Sequence, residues 1–161
     1  KSLLLISPGG VASSEPSEMA RRLKEGKPNP LIADSVEGYD RLLDFVFVKR
    51  PSIPRAIKKV LIQEAIAHQP LNSRIFKQLR SSVDVPPLEV LLKGLPVPTL
   101  IVWGAEDRVL HVSGAKIIES VMPKARAAVM DSVGHLAMIE KPEETAALYL
   151  DFLGLKRTAP K

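Results

Sequence analysis

Two short stretches place reactive side chains at matching positions. "TLIVWGAEDRVL", Thr99–Leu110, carries an apolar run through Trp103 and Gly104 into Glu106 and Asp107. "ARAAVMDSVGH", Ala125–His135, carries a second run to Met130 and ends in His135. Both runs read as strands. In open parallel sheets, functional side chains gather beyond the carboxyl ends of the strands. An acid just past one strand and a histidine just past the next therefore emerge on one sheet edge, although 28 positions separate Asp107 from His135. A carboxylate that accepts the proton of one imidazole nitrogen fixes the tautomer. It also stabilises the imidazolium formed when the other nitrogen takes a proton. That is the base half of a nucleophilic hydrolase. On residue type alone, Glu106 competes with Asp107, and Asp131 lies nearer to His135 in the chain. His68, near a helix C-terminus, and His111, in a loop before a helix, lack this setting and are expected to be structural.

The elements that position this pair follow from periodicity and punctuation. Leu3–Ser7 is an all-apolar strand closed by Pro8-Gly9-Gly10, the type found inside parallel sheets. Helices are expected over Ser14–Gly26, with Ser14 as N-cap, and over Ser35–Val48, Pro54–His68 and Asn72–Arg80, with a turn or two near Leu88–Leu92. After Pro98 the pattern alternates: strand Thr99–Trp103, helix Ser113–Met122, strand Arg126–Met130, and a last helix opened by Pro142 with Glu143 and Glu144 in its first turn. One strand, a helical block and then strand–helix–strand–helix make an α/β fold with an all-helical insertion. The division is residues 1–10 core strand, 11–95 helical lid, 96–155 remainder of the core with acid and histidine, and 156–161 tail, expected to fray.

Composition narrows the class. The 161 residues are 45% hydrophobic and 25% charged, an ordinary globular balance. No cysteine is present, which excludes a thiol nucleophile and a disulfide scaffold. No apolar run reaches the roughly 18 residues a membrane helix needs. No metal or cofactor is expected. Charge is uneven: Lys49–Arg80 holds eight basic residues and one acid, +7 within a chain of net +5.

The acid and histidine motifs carry a resemblance. Trp103-Gly104-x-x-Asp107, and Gly134-His135 with Glu140-x-Pro142 beyond it, resemble the acid and histidine motifs of the α/β-hydrolase superfamily, whose chain order is also acid then histidine. "LLLISPGGV" resembles the strand after the nucleophile helix. The helical block resembles the lid of monoacylglycerol lipases and of bacterial membrane-bound lipases and phospholipases. The resemblance selects Asp107 over Glu106 and Asp131. It implies a serine ester hydrolase acting on lipid-like esters, with Asp107 and His135 as catalytic residues. No G-x-S-x-G nucleophile motif occurs, and Ser7, Ser13 and Ser14 lack its glycine frame. The expectation is therefore the C-terminal part of a larger enzyme. Its nucleophile and oxyanion hole lie in an N-terminal half, and this part alone is inactive.

The lid adds a substrate expectation. Pro54–His68 is apolar over much of its circumference and lies beside the +7 charge. Such a helix buries both sides or faces lipid, and apolar with basic suits an anionic membrane surface. Membrane association, through an anchor upstream, is the expected location, with the cytoplasm as the alternative. Nucleic acid is not expected: Phe76 is the segment's one aromatic, and no base-reading motif occurs. Three rivals stay open: an α/β hydrolase with an Asp nucleophile of the epoxide hydrolase or dehalogenase type, a non-catalytic relative that keeps the pocket, and a phospho-acceptor domain using Asp107.

Overall fold

The computed structural model describes residues 1–81 and 85–155; the expected tail, 156–161, lies outside the described residues. Three parallel strands, β1 (Leu3–Ile6), β2 (Thr99–Gly104) and β3 (Ala125–Met130), form a sheet in the order β1-β2-β3. Thr99 is in register with Leu3 on one side and Ala125 on the other. All six residues of β2 are buried, because helices cover both faces, as a parallel strand requires. On one face Ile101 and Trp103 pack against Ala115, Ile118 and Met122, within or just after α6 (Ser113–Val121). On the other, Leu100 and Val102 meet Met130, Val133 and Leu148, Tyr149 and Phe152 of α8 (Pro142–Phe152). The approach of α6 is close: a Cβ on Gly114 would lie 2.7 Å from the Trp103 ring. β1 is only half-buried. Its outer edge is unpaired among the described residues.

Between β1 and β2 run α1 (Glu18–Lys24), α2 (Val36–Val46), α3 (Arg55–Ala67), α4 (Gln69–Ser81) and α5 (Leu88–Leu91). Tyr39, Leu43, Phe45, Val46 and Phe47 form their core, which is continuous with Val109 beyond β2. The two ends of the segment are clasped. Glu89 accepts from the backbone N–H of Ala12 and Ser13 and from the Ser13 hydroxyl, and Leu88 N–H donates to the Gly10 carbonyl. Helix α3 packs Leu61, Ile62 and Ala65 inward while Ile57 and Val60 stay half-exposed. α4 buries no residue.

Local chemistry moved several boundaries. α1 begins at Glu18, capped by Ser17, whose Oγ accepts from Ala20 N–H. Ser14 does not cap it. Pro16 disfavours a helical Glu15, and the Ser14 hydroxyl donates to the Val11 carbonyl instead. α2 stops at Val46 because Phe47 turns extended. α4 starts at Gln69 rather than Asn72, following α3 with only His68 between. The single turn α7 (Ala137–Glu140) was not expected.

Ile101 is fully buried in the central strand, so Ile101→Ala is expected to cost about 2–5 kcal/mol. Urea unfolding measures it. A cost near zero would mean that β2 is not the structural centre.

Candidate active site

Asp107 lies three residues past β2 with its side chain fully shielded from solvent. A buried carboxylate needs donors, and this one has four. Its Oδ1 accepts from the backbone N–H of Val109 at 2.8 Å and Leu110 at 3.0 Å. Its Oδ2 accepts from the Trp103 indole at 3.0 Å and lies 2.9 Å from His135 Nδ1. Because an ionised carboxylate only accepts, Nδ1 carries the proton and Nε2 presents a lone pair. The imidazole is partly exposed, and among the described residues nothing hydrogen-bonds Nε2. The arrangement can take a proton at Nε2 and stabilise the resulting charge at Nδ1.

The loops that hold the pair are bound to each other. Ala105 N–H donates to Met130, and Glu106 N–H to Val133. The Glu106 carboxylate accepts from Val133 N–H at 3.0 Å. Glu106 therefore grips the histidine loop by both backbone and side chain and does not compete with Asp107. Asp131 is exposed, and its side chain makes no hydrogen bond among the described residues. The approach of the loops admits no side chain at Gly104, where a Cβ would lie 2.0 Å from the Gly134 carbonyl oxygen.

A second set of bonds fastens the histidine loop to α2. His135 N–H donates to the Val46 carbonyl at 2.9 Å. Glu140, at the end of α7, accepts from Gly134 N–H at 2.6 Å through Oε1, and from Val48 and Lys49 N–H at 2.9 and 3.0 Å through Oε2. A Cβ on Gly134 would lie 2.3 Å from Val46 O. On the acid side, Arg108 forms a fork with Glu18 at 2.6 and 2.8 Å, donates to the Asp44 carbonyl and stacks 4.5 Å above Phe45. That hydrogen bond from Arg108 holds the Glu18 carboxyl below its ordinary range. An open cleft of about 460 Å³ lies against this loop, bounded by Glu18, Phe47, Val48, Glu106 and Asp107.

The remaining candidates sit elsewhere. His68 Nδ1 bonds the Glu64 carbonyl. His111 Nδ1 faces the Ser113 hydroxyl and backbone N–H. Ser13 and Ser14 spend their hydroxyls on Glu89 and Val11. Ser7 is buried at the end of β1 with a left-handed φ of 41°. None of the three bonds His135. Among the described residues no three His, Asp or Glu side chains gather as metal ligands would.

No family model matches the chain. Individual proteins do. Lipase 3 of Moraxella sp. (strain TA144) is 33% identical over 98% of this chain and 50% of its own length. The monoacylglycerol lipase ABHD6 of Rattus norvegicus is 31% identical over 94% of this chain and 47% of its own. A crystal structure described as a membrane phospholipase A, a novel bacterial virulence factor, superposes with a TM-score of 0.88 at 40% identity, over 95% of this chain and 48% of that one. The chain has the fold of part of an α/β-hydrolase. It spans about half the length of the relatives it matches, and its three parallel strands with flanking helices are part of the α/β-hydrolase fold.

The structure brings together Asp107 and His135, the two residues singled out in the sequence, and adds the groups that hold them. Glu140 was noticed only as part of a motif, and its carboxylate joins two segments 92 positions apart. Trp103, the end of the apolar run and the first residue of the acid motif, is buried in the core, and its Nε1 also serves Asp107. Gly134→Ala drives a methyl into the Val46 carbonyl and is expected to destabilise by about 1–3 kcal/mol. Thermal unfolding of the full-length protein checks this, and an unchanged midpoint would show that the loop yields freely.

Proposed function

We propose that the chain is the acid-and-base part of a carboxylic-ester hydrolase acting on lipid-like esters. The observation that carries the reading is the 2.9 Å contact between Asp107 Oδ2 and His135 Nδ1 beyond adjacent parallel strands. In the mechanism a serine from outside this chain attacks the ester carbonyl. His135 Nε2 takes its proton and then returns one to the leaving alcohol, and Asp107 orients and stabilises the imidazolium. Water releases the acyl group by the same route. The N-terminal half of the same enzyme supplies the nucleophile and the oxyanion hole. Half coverage of the relatives and the unpaired apolar edge of β1 support that partner. The substrate class rests on the names of the relatives, lipase, monoacylglycerol lipase and phospholipase A.

Residues 11–95 act in this reading as a lid. Ile57, Val60, Leu71, Ile75 and Leu79 on α3 and α4 are exposed beside the +7 charge of Lys49–Arg80, which suits contact with an anionic lipid surface. Among the described residues no helix is long and apolar enough to cross a membrane.

Treating the full-length protein with a fluorophosphonate serine probe is expected to give an adduct on a serine outside this chain. His135→Ala should abolish both adduct and turnover, and Asp107→Asn should lower kcat by about 10⁴ by imposing the wrong tautomer. Full activity in His135→Ala would sink the assignment. In flotation, binding to anionic and not neutral liposomes is expected, reduced when Ile57, Val60 and Leu79 are replaced by Ser. Equal absence of binding to both would overturn the membrane contact.

A further inference from the structure

Trp103 is the chain's one tryptophan, and its ring is buried among Ile101, Ala115, Ile118 and Met122. An aliphatic side chain could fill an apolar cluster of this kind. A tryptophan brings a polar handle that must find an acceptor when buried. Its Nε1–H leaves the cluster and enters the turn after β2. There it is shared between Asp107 Oδ2 at 3.0 Å and the Leu110 carbonyl at 3.3 Å. The rest of the ring has no freedom to follow a moving partner, because α6 lies directly on it at Gly114.

The donors to Asp107 divide between its two oxygens. Oδ1 accepts from Val109 and Leu110 N–H, which belong to the carboxylate's own turn. Oδ2 accepts from the indole and from His135 Nδ1. Of these donors, the indole alone is carried by a strand of the sheet. The amides travel with the turn, and the imidazole travels with the histidine loop. The indole is therefore the fixed point for the oxygen that bonds the base. Through the Leu110 carbonyl it also fixes the far end of the same turn. Without it, Oδ2 would be located only by the imidazole that it has to orient.

We propose that Trp103 is a positioning residue of the Asp107–His135 pair: its indole N–H holds Oδ2 toward His135 Nδ1, so that the carboxylate is already oriented when charge develops on the imidazole. The proposal rests on the hydrolase reading of the pair. A dipole or charge fixed in advance costs no reorganisation during the reaction. The charge on His135 exists only once it has taken the proton of the nucleophile, so the loss of this support falls on kcat and leaves KM unchanged. A ring that merely fills the core would show no such division.

The test uses the full-length protein, with p-nitrophenyl butyrate turnover and the rate of fluorophosphonate labelling as readouts. Trp103→Phe is expected to lower kcat and the labelling rate by about tenfold, the scale of one hydrogen bond to an ionised group, at unchanged KM. Replacing Trp103 by benzothienylalanine, which keeps the shape of the ring and puts sulfur where the indole has N–H, should give the same loss, and it carries the test if Trp103→Phe does not fold. Met122→Ala thins the same cluster without touching Nε1; it should lower the thermal midpoint and keep kcat. Because Trp103 acts through Asp107, Trp103→Phe should cost nothing further in an Asp107→Asn background. Wild-type kcat in either folded Trp103 variant, an equal loss in the Asp107→Asn background, or the same fall of kcat in Met122→Ala overturns the proposal while the hydrolase reading stands. A folded wild type with neither turnover nor labelling overturns the hydrolase reading, and the proposal with it.

Discussion

The side chain of Asp107 is a charge taken out of water, and the surrounding structure is arranged around that constraint. An unpartnered carboxylate in such a place would cost several kcal/mol. Four donors prevent this: two backbone amides of its own loop, the indole of the strand it follows, and the imidazole of the next loop. Each donor comes with a structural demand. The amides require a tight turn after Asp107. The indole requires Trp103 to lie flat under α6, which is why position 114 has no room for a side chain. The imidazole requires the loop after β3 to fold back over β2, which Gly104 permits by leaving its carbonyl neighbours room. Removing any one donor leaves a buried charge short of a partner, so the geometry of the pair and the stability of the sheet edge are linked.

The helical layer is part of the same arrangement. Phe45, Val46 and Phe47 form a core with Val109, two residues past the acid. Val46 accepts the His135 amide, and Glu140 carries bonds to both the histidine loop and the stretch after α2. Arg108 reaches α1 and α2 from the acid loop. Residues far apart in the chain thus fix both partners of the Asp107–His135 contact from above, while the sheet fixes them from below.

The strands and the acid–histidine pair were legible because their signals are local: apolar runs of four to six residues, then an acid or histidine at a fixed step beyond. The longer helices were legible for the same reason, and Ser35 marked its helix to the residue. Ser14 misled because it satisfies the composition of a cap; the rigid φ of Pro16 moved the start to Ser17. The single turn α7 has too few residues to show a period. Glu106 and Glu140 were the hardest to interpret. Each acts by accepting backbone amides from a distant segment, and a backbone amide leaves no trace in residue type.

The Glu140 clasp has a mechanical consequence. Lifting the end of α2 away from the sheet would pull on Val46 and Val48, and through them on the histidine loop. An enzyme that opened its cover there would dismantle its base each time a substrate entered. A movement of the cover that spared the base would have to begin after Lys49, where Pro51 and Pro54 interrupt the helical run before α3. In this division α1 and α2 form the wall bound to the histidine loop, while α3, which rests on that wall through Leu61, Ile62, Ala65 and the Lys58–Asp40 ion pair, and α4 lie outside the clasp.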